Sequence, residues 1–202
     1  MDISDADYKK RLGEYQYDLQ FSAIDVVQKH ILTGSAAALD NTDYYQLRRR
    51  VAEKFRVQSV EVILVGSCRV GFSIVDKAVI GRPRYSLMRS DSDLDLAIVS
   101  ATLFDTVWDK VFRYSESDRA FGNSDAATDF RNGLFEGWID PKGLPPISQF
   151  AMAKEWNQFF GQIGGDRKYG NRRASARLYR TWDRLISYQQ IAVKQCQRDI
   201  KG

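Results

Sequence analysis

Two aspartates stand one residue apart in Ser92-Asp93-Leu94-Asp95-Leu96-Ala97-Ile98-Val99. Side chains alternate along a strand, so Asp93 and Asp95 share one face while Leu94 and Leu96 take the other. Two carboxylates converging on one point repel each other. A divalent cation between them relieves the repulsion, and hard oxygen donors of this kind suit magnesium. Earlier in the chain, Gly66-Ser67 closes Val60-Glu61-Val62-Ile63-Leu64-Val65, a run rich in β-branched residues that reads as a buried strand. A strand ending in Gly-Ser presents bare backbone N–H groups, and the N-terminus of a following helix adds to them. Together they cradle phosphate, with glycine required because a Cβ would block close approach.

The phrases Gly66-Ser67-Cys68-Arg69-Val70-Gly71 and Ser92-Asp93-Leu94-Asp95-Leu96 follow in that order, each with a strand. This arrangement resembles the nucleotidyltransferases of the DNA polymerase β superfamily, whose hallmark is a strand, Gly-Ser opening a helix, and Asp-x-Asp on the next strand. The local form is most similar to the small bacterial members, which carry Gly-Ser-x-Ala-Arg-Gly or Gly-Ser-x-Arg-x-Gly and then Ser-Asp-x-Asp-Leu. Cyclic-oligonucleotide synthases share the frame. The resemblance spans Val60 to Val99 and speaks for the core, not for the acceptor substrate.

The resemblance implies an α+β fold, with a nucleotidyltransferase-like core of a small mixed sheet flanked by helices and further helices at both termini. It implies Asp93 and Asp95 as ligands of Mg2+, in a site able to take two metals. Gly66 and Ser67 would grip the β and γ phosphates of ATP or another nucleoside triphosphate, with Arg69 assisting. A nucleotidyl group would pass to a hydroxyl, with pyrophosphate leaving. Most active members of the superfamily add an acidic side chain from a later strand, which helps hold the metals and draws the proton from the attacking hydroxyl. No later strand here shows an obvious apolar-acidic-apolar pattern; Glu136 is the nearest catalytic candidate and Asp140 the next. The acceptor is open among a protein hydroxyl, a small molecule, an RNA end and a second nucleotide.

The elements around these motifs read as one domain over 1–202: helices over 1–58, the core with both motifs over 59–147, and a helical part over 148–202. A hydrophobic content of 44% and four tryptophans argue against disorder. No apolar run is long enough to cross a membrane, and Met1-Asp2-Ile3-Ser4-Asp5 lacks a secretory pattern, so a cytoplasmic protein is expected. Cys68 and Cys196 are expected as reduced thiols, and with His30 they offer too few soft ligands for zinc. A first helix, capped at Ser4 or Asp5, is expected to continue through Tyr15, Leu19, Ile24 and Val27 to Ile31. Its aromatics Tyr8, Tyr15, Tyr17 and Phe21 read as packing, and His30 as a helix-end side chain. A second helix starts near Asn41 or Thr42 and runs to Phe55. Thr102 to Tyr114 reads as amphipathic, Ser115 to Asp129 as an exposed loop, Gly133 to Pro146 as a structured loop or lid margin, and Ser148 to Phe160 as helix again.

The net charge of +4 favours anionic partners, which include both nucleoside triphosphates and nucleic acid. Arg48-Arg49-Arg50 with Lys54 and Arg56 reads as a solvated helix face. Lys77, Arg82, Arg84 and Arg89, in the long link before the aspartates, either touch triphosphate or acceptor or offset the charge of Asp91, Asp93 and Asp95. Asp91 itself reads as a capping or turn residue. On one helix, Arg173, Arg177, Arg180 and Arg184 would form a stripe. The alternative is a strand over about Arg172 to Tyr179, with Arg173, Ser175 and Arg177 alternating against Ala174, Ala176 and Leu178, and the final helix starting near Thr181. A second function class therefore stands beside the enzyme: a non-catalytic nucleotide- or nucleic-acid-binding protein on the same fold, its third acid lost.

Overall fold

The computed structural model describes residues 3–76, 79, 81–117, 124–144 and 151–201. It is an α+β fold built on a four-stranded mixed sheet in the order β1-β2-β4-β3. Strand β1 is Val62–Val65, β2 is Leu94–Val99, β3 is Trp138–Ile139 and β4 is Ala174–Tyr179. β1 and β2 run antiparallel, with Val65 opposite Asp95; β2 and β4 run parallel, with Asp95 opposite Ser175. β3 closes the sheet antiparallel to β4, with Trp138 opposite Tyr179.

Period-two alternation gives the sheet two faces. Leu94, Leu96 and Ile98 of β2 and Ala176 and Leu178 of β4 point into the larger core. There they meet Leu47 and Val51 of α3 (Asn41–Phe55), Phe104, Val107 and Val111 of α5 (Ala101–Ser117), and Trp156, Phe160 and Ile163 near the C-terminus. Ala97, Val99 and Tyr179 point the other way, against Leu185 and Leu32. This second face carries Asp95, Ser175 and Arg177, and α8 (Trp182–Lys201) lies across it.

The expected single N-terminal helix is three pieces. Ser4 caps α1 (Asp5–Asp18) by accepting from the Asp7 amide at 3.1 Å. The chain then turns, and Ser22 caps a short α2 (Ala23–Val26), which passes into a π-helix over Val27–Thr33. The break is fastened by the buried Asp18, whose Oδ2 lies 2.6 Å from Lys29 Nζ and 2.7 Å from His30 Nε2. The freed carbonyls of Leu19 and Phe21 accept from Gln197 Nε2 at 2.9 and 2.8 Å. His30 thus works at the break. Tyr15 is buried and packs as expected, whereas Tyr17 and Phe21 are exposed and meet mainly each other, edge to face.

Two further expectations change. The segment after Ser115 is not all loop: α5 runs to Ser117, and Ser124 caps a helix α6 over Asp125–Glu136. Gly133 lies inside α6, where its bare Cα lets Trp138 pack close; a Cβ would meet Trp138 atoms at 2.9 to 3.1 Å. The chain leaves α6 through Gly137 in a left-handed conformation and enters β3, so this glycine-rich stretch holds an edge strand rather than a plain loop. Helix α7 is described over Ala151–Gly164; the expected start at Ser148 and the prolines Pro145 and Pro146 lie outside the described residues, as does Lys77.

Arg173 to Arg184 is the strand alternative. Arg173 precedes β4, Arg177 lies on it, Arg180 follows it and Arg184 lies on α8, so the single helical stripe does not form. The backbone partners of β2 fix the outcome, because a parallel strand there satisfies the ladder that β2 would otherwise leave open.

Candidate functional site

The antiparallel pairing of β1 with β2 brings the two motifs together. With Val65 opposite Asp95, the turn at Gly66 falls beside the second aspartate. Gly66 has φ 68 and ψ −158, a conformation almost confined to glycine, and a Cβ there would lie 3.4 Å from Asp95 Oδ2. Ser67 then opens α4, a single turn over Ser67–Val70 that ends at Gly71, also at positive φ.

Asp95 is held from the neighbouring strand, since Ser175 Oγ donates to its Oδ1 at 3.0 Å. Asp93 sits just before β2, and its Oδ2 lies 3.5 Å from Arg173 Nη2. Beneath both, Arg172 is almost fully buried and its Nη1 donates to the Arg89 carbonyl at 2.7 Å and the Ser92 carbonyl at 3.3 Å. That grip pins the loop delivering the aspartates. Cys68 is buried below the turn with its Sγ 3.6 Å from the Ser92 carbonyl. Burial pushes its thiol up to about 12; Arg172 opposes the shift, and Asp95 and Asp93 add to it.

A cavity of about 520 Å³ opens over this face of the sheet. At one side lie Gly66, Ser67, Asp95 and Ser175, and at another Asp140, Arg177, Tyr179 and Tyr188, while α8 supplies Gln189, Ile191 and Ala192. Asp140 reaches the cavity because β3 ends one residue earlier, opposite Leu178. Arg177 packs between rings, its guanidinium carbon 4.6 Å from the Trp138 centroid and 5.2 Å from that of Tyr188, whose hydroxyl it also contacts. Burial works against its charge, but Tyr188, Tyr179 and Asp140 outweigh it and hold the cation. Burial also pushes the Tyr179 phenol up.

The structure therefore brings Gly66, Ser67 and Asp95 to one cavity, with Asp93 at the adjoining start of β2. It does not bring Arg69 or Glu136 there. Arg69 is 1% exposed, donates from Nη2 to the Leu32 carbonyl at 3.0 Å and lies under the Tyr44 ring, because α4 turns it away from the sheet's open face. Glu136 ends α6, exposed, and its Oε2 accepts from Trp138 Nε1 at 2.7 Å. Asp140, the second candidate, is the one of these two acids that lines the cavity.

Most of the other basic residues singled out in the sequence have partners within the chain. Arg82 and Arg89 both reach Asp91, at 3.0 and 3.2 Å, and Arg84 pairs with Asp199. Arg48 donates to the Ser59 carbonyl, Arg49 pairs with Glu53, Arg50 with Asp166 and Lys54 with Glu155. Asp91 is thus a turn residue that collects arginines.

Of the two aspartates expected to hold a cation, Asp95 lines the cavity and Asp93 lies just before β2, against Arg173. Among the described residues, no group of three or more histidine, cysteine or acidic side chains is arranged for a metal. No described helix is long and apolar enough to cross a membrane. Ser175, Tyr188 and Gln189 carry no site signal in the sequence beyond the alternation along Arg173 to Leu178, and Arg177 stands there only as one of a stripe of arginines. No protein-family model, curated protein or solved structure matches this chain.

Proposed function

We propose that the chain is a magnesium-dependent nucleotidyltransferase, which binds ATP or another nucleoside triphosphate in the cavity and moves a nucleotidyl group to a hydroxyl acceptor. The observation that carries the reading is the approach of Asp95 to the bare Cα of Gly66, with Ser67 and Asp140 on the same cavity. A carboxylate beside a phosphate-sized backbone cradle makes sense when a cation lies between carboxylate and phosphate. Magnesium is commonly held by one or two carboxylates together with substrate phosphates, so the pair Asp93 and Asp95 fits it without a third protein ligand. When bound, the ion would neutralise charge on the phosphate oxygens.

The chain's own groups account for the rest. Ser175 and Arg172 hold Asp95 and the loop before it in place, and the Gly66-Ser67 turn receives the β and γ phosphates. The acceptor oxygen forms a bond to the α-phosphorus as the bond to pyrophosphate breaks. The acceptor's proton passes to a carboxylate; Asp140, which lines the cavity, supports that role better than Glu136, which is bonded to Trp138. In the Asp93→Ala, Asp95→Ala double variant, transfer from labelled ATP in cell extract should disappear while the circular-dichroism spectrum is kept. Full transfer activity in that variant overturns the assignment.

A second reading is favoured by one feature: β4, the strand beside β2, carries Ser175 and Arg177 on the site face and no acid. The chain would then bind nucleotide without turning it over. Labelled product or released pyrophosphate supports the enzyme, and saturable binding without either supports the binding protein. Nucleic acid is a weaker partner in both readings, since the arginines of the C-terminal part are spread over separate elements.

A further inference from the structure

Gln189 is a largely buried polar side chain on a cavity wall that is part polar and part apolar. It is 8% exposed, it lines the cavity, and it makes no hydrogen bond with any described residue. It lies one turn beyond Leu185, which packs on the sheet with Val65, and one turn before Val193, which belongs to the cluster against which Val65 also packs. The residue is therefore at mid-helix on the covering face of α8, with Ile191, Ala192, Ile74 and Val75 among the cavity walls. Most of the side chain is buried, yet neither amide atom is sealed from the cavity, so its donor and acceptor are left open to it.

Resting on the nucleotide reading above, we propose that Gln189 selects the base, and that the base is adenine. A carboxamide holds a donor and an acceptor side by side in one plane. Adenine offers the complement on both edges, its 6-amino group beside N1 or N7, and glutamine pairs with such an edge in a bidentate manner. Guanine carries acceptors alone on its N7 edge, which a carboxamide cannot match with both of its groups. The cavity volume of about 520 Å³ is within the range of sites that hold a ligand of this size.

Calorimetry on the full chain in magnesium tests this with ATP, GTP and purine riboside triphosphate, which is ATP without the 6-amino group. The wild-type protein should bind ATP about tenfold more tightly than either of the others. In Gln189→Leu the ATP-to-purine-riboside ratio should fall to about one, mainly through loss of ATP affinity. Gln189→Met, closer in shape, serves if the leucine variant does not fold. Equal binding of ATP and the purine riboside analogue by the wild type, ATP-like binding of GTP, or an unchanged ratio in the folded variant overturns base selection by Gln189 and leaves the nucleotide reading intact. Absence of binding by all three nucleotides overturns the nucleotide reading itself and this inference with it.

Discussion

At Gly66 a single hydrogen in place of a side chain decides whether phosphate and carboxylate can be neighbours. Gly66→Ala should cost about 1–3 kcal/mol, because its φ and ψ lie where residues with a Cβ are strained. Urea unfolding measures that cost, and nucleotide affinity should fall with it since the new methyl faces Asp95. Cys68 makes a prediction about pH. Its folded pKa is raised above the ordinary thiol value of 9.0 to about 12, so the neutral thiol is favoured by folding. The associated stability is full below about pH 9 and is lost as pH rises through 12. Cys68→Ala should remove that alkaline loss, read as denaturant midpoints between pH 8 and 11.

Among the elements, the loop before β2 depends on a residue far along the chain. Arg172 enters from the segment before β4 and fastens the Arg89 and Ser92 carbonyls. Arg172→Met keeps much of the buried volume but removes the donors, leaving two carbonyls to find other partners. A stability loss of about 1–3 kcal/mol is expected, together with weaker nucleotide binding as Asp93 and Asp95 lose their fixed approach. Unchanged affinity in the folded variant would show that the loop holds itself. The N-terminal break offers a parallel test. Asp18 stays ionised below its ordinary range because, although burial opposes the charge, hydrogen bonds from Lys29 and His30 outweigh it. That contribution is present above the ordinary carboxylate range and is lost as pH falls through the lowered folded value. Asp18→Asn should therefore lower the urea midpoint at pH 7 and narrow its gap to wild type in acid.

Across the whole molecule the net charge of +4 suggests attraction to nucleic acid, yet much of the positive charge is matched within the chain. Arg173 meets Asp93, Arg177 is stacked between Trp138 and Tyr188, and Arg180 Nε donates to Asp105 at 3.0 Å. Four free arginines tracking a single strand would give a log–log salt slope of roughly −3. The expected slope for single-stranded RNA is shallower than about −1, the value for little more than one phosphate contact. Fluorescence anisotropy across a salt series measures it, and a slope near the steeper value would restore the nucleic-acid groove.

The sequence by itself determined β1 from Val62 onward, β2 and the Gly-Ser and Asp-x-Asp motifs beside them, because alternation and a glycine turn are local properties that neighbours along the chain express; Val60 and Glu61, read as strand, form a short 3-10 turn before β1. It also determined α3 and the amphipathic α5, for the same reason. What only the tertiary structure decided depends on contacts between distant residues. The parallel pairing with β2 made β4 a strand instead of an arginine-bearing helix. Trp138 packed on Gly133 let a helix run through the glycine-rich stretch, and the following edge strand carried Asp140 to the cavity while Glu136 stayed outside. Arg69, beside the motif in sequence, was turned under Tyr44 by one turn of helix. Gln189 came to the site from the far end of the chain, because α8 had to cover the apolar half of the same sheet face that bears the aspartates.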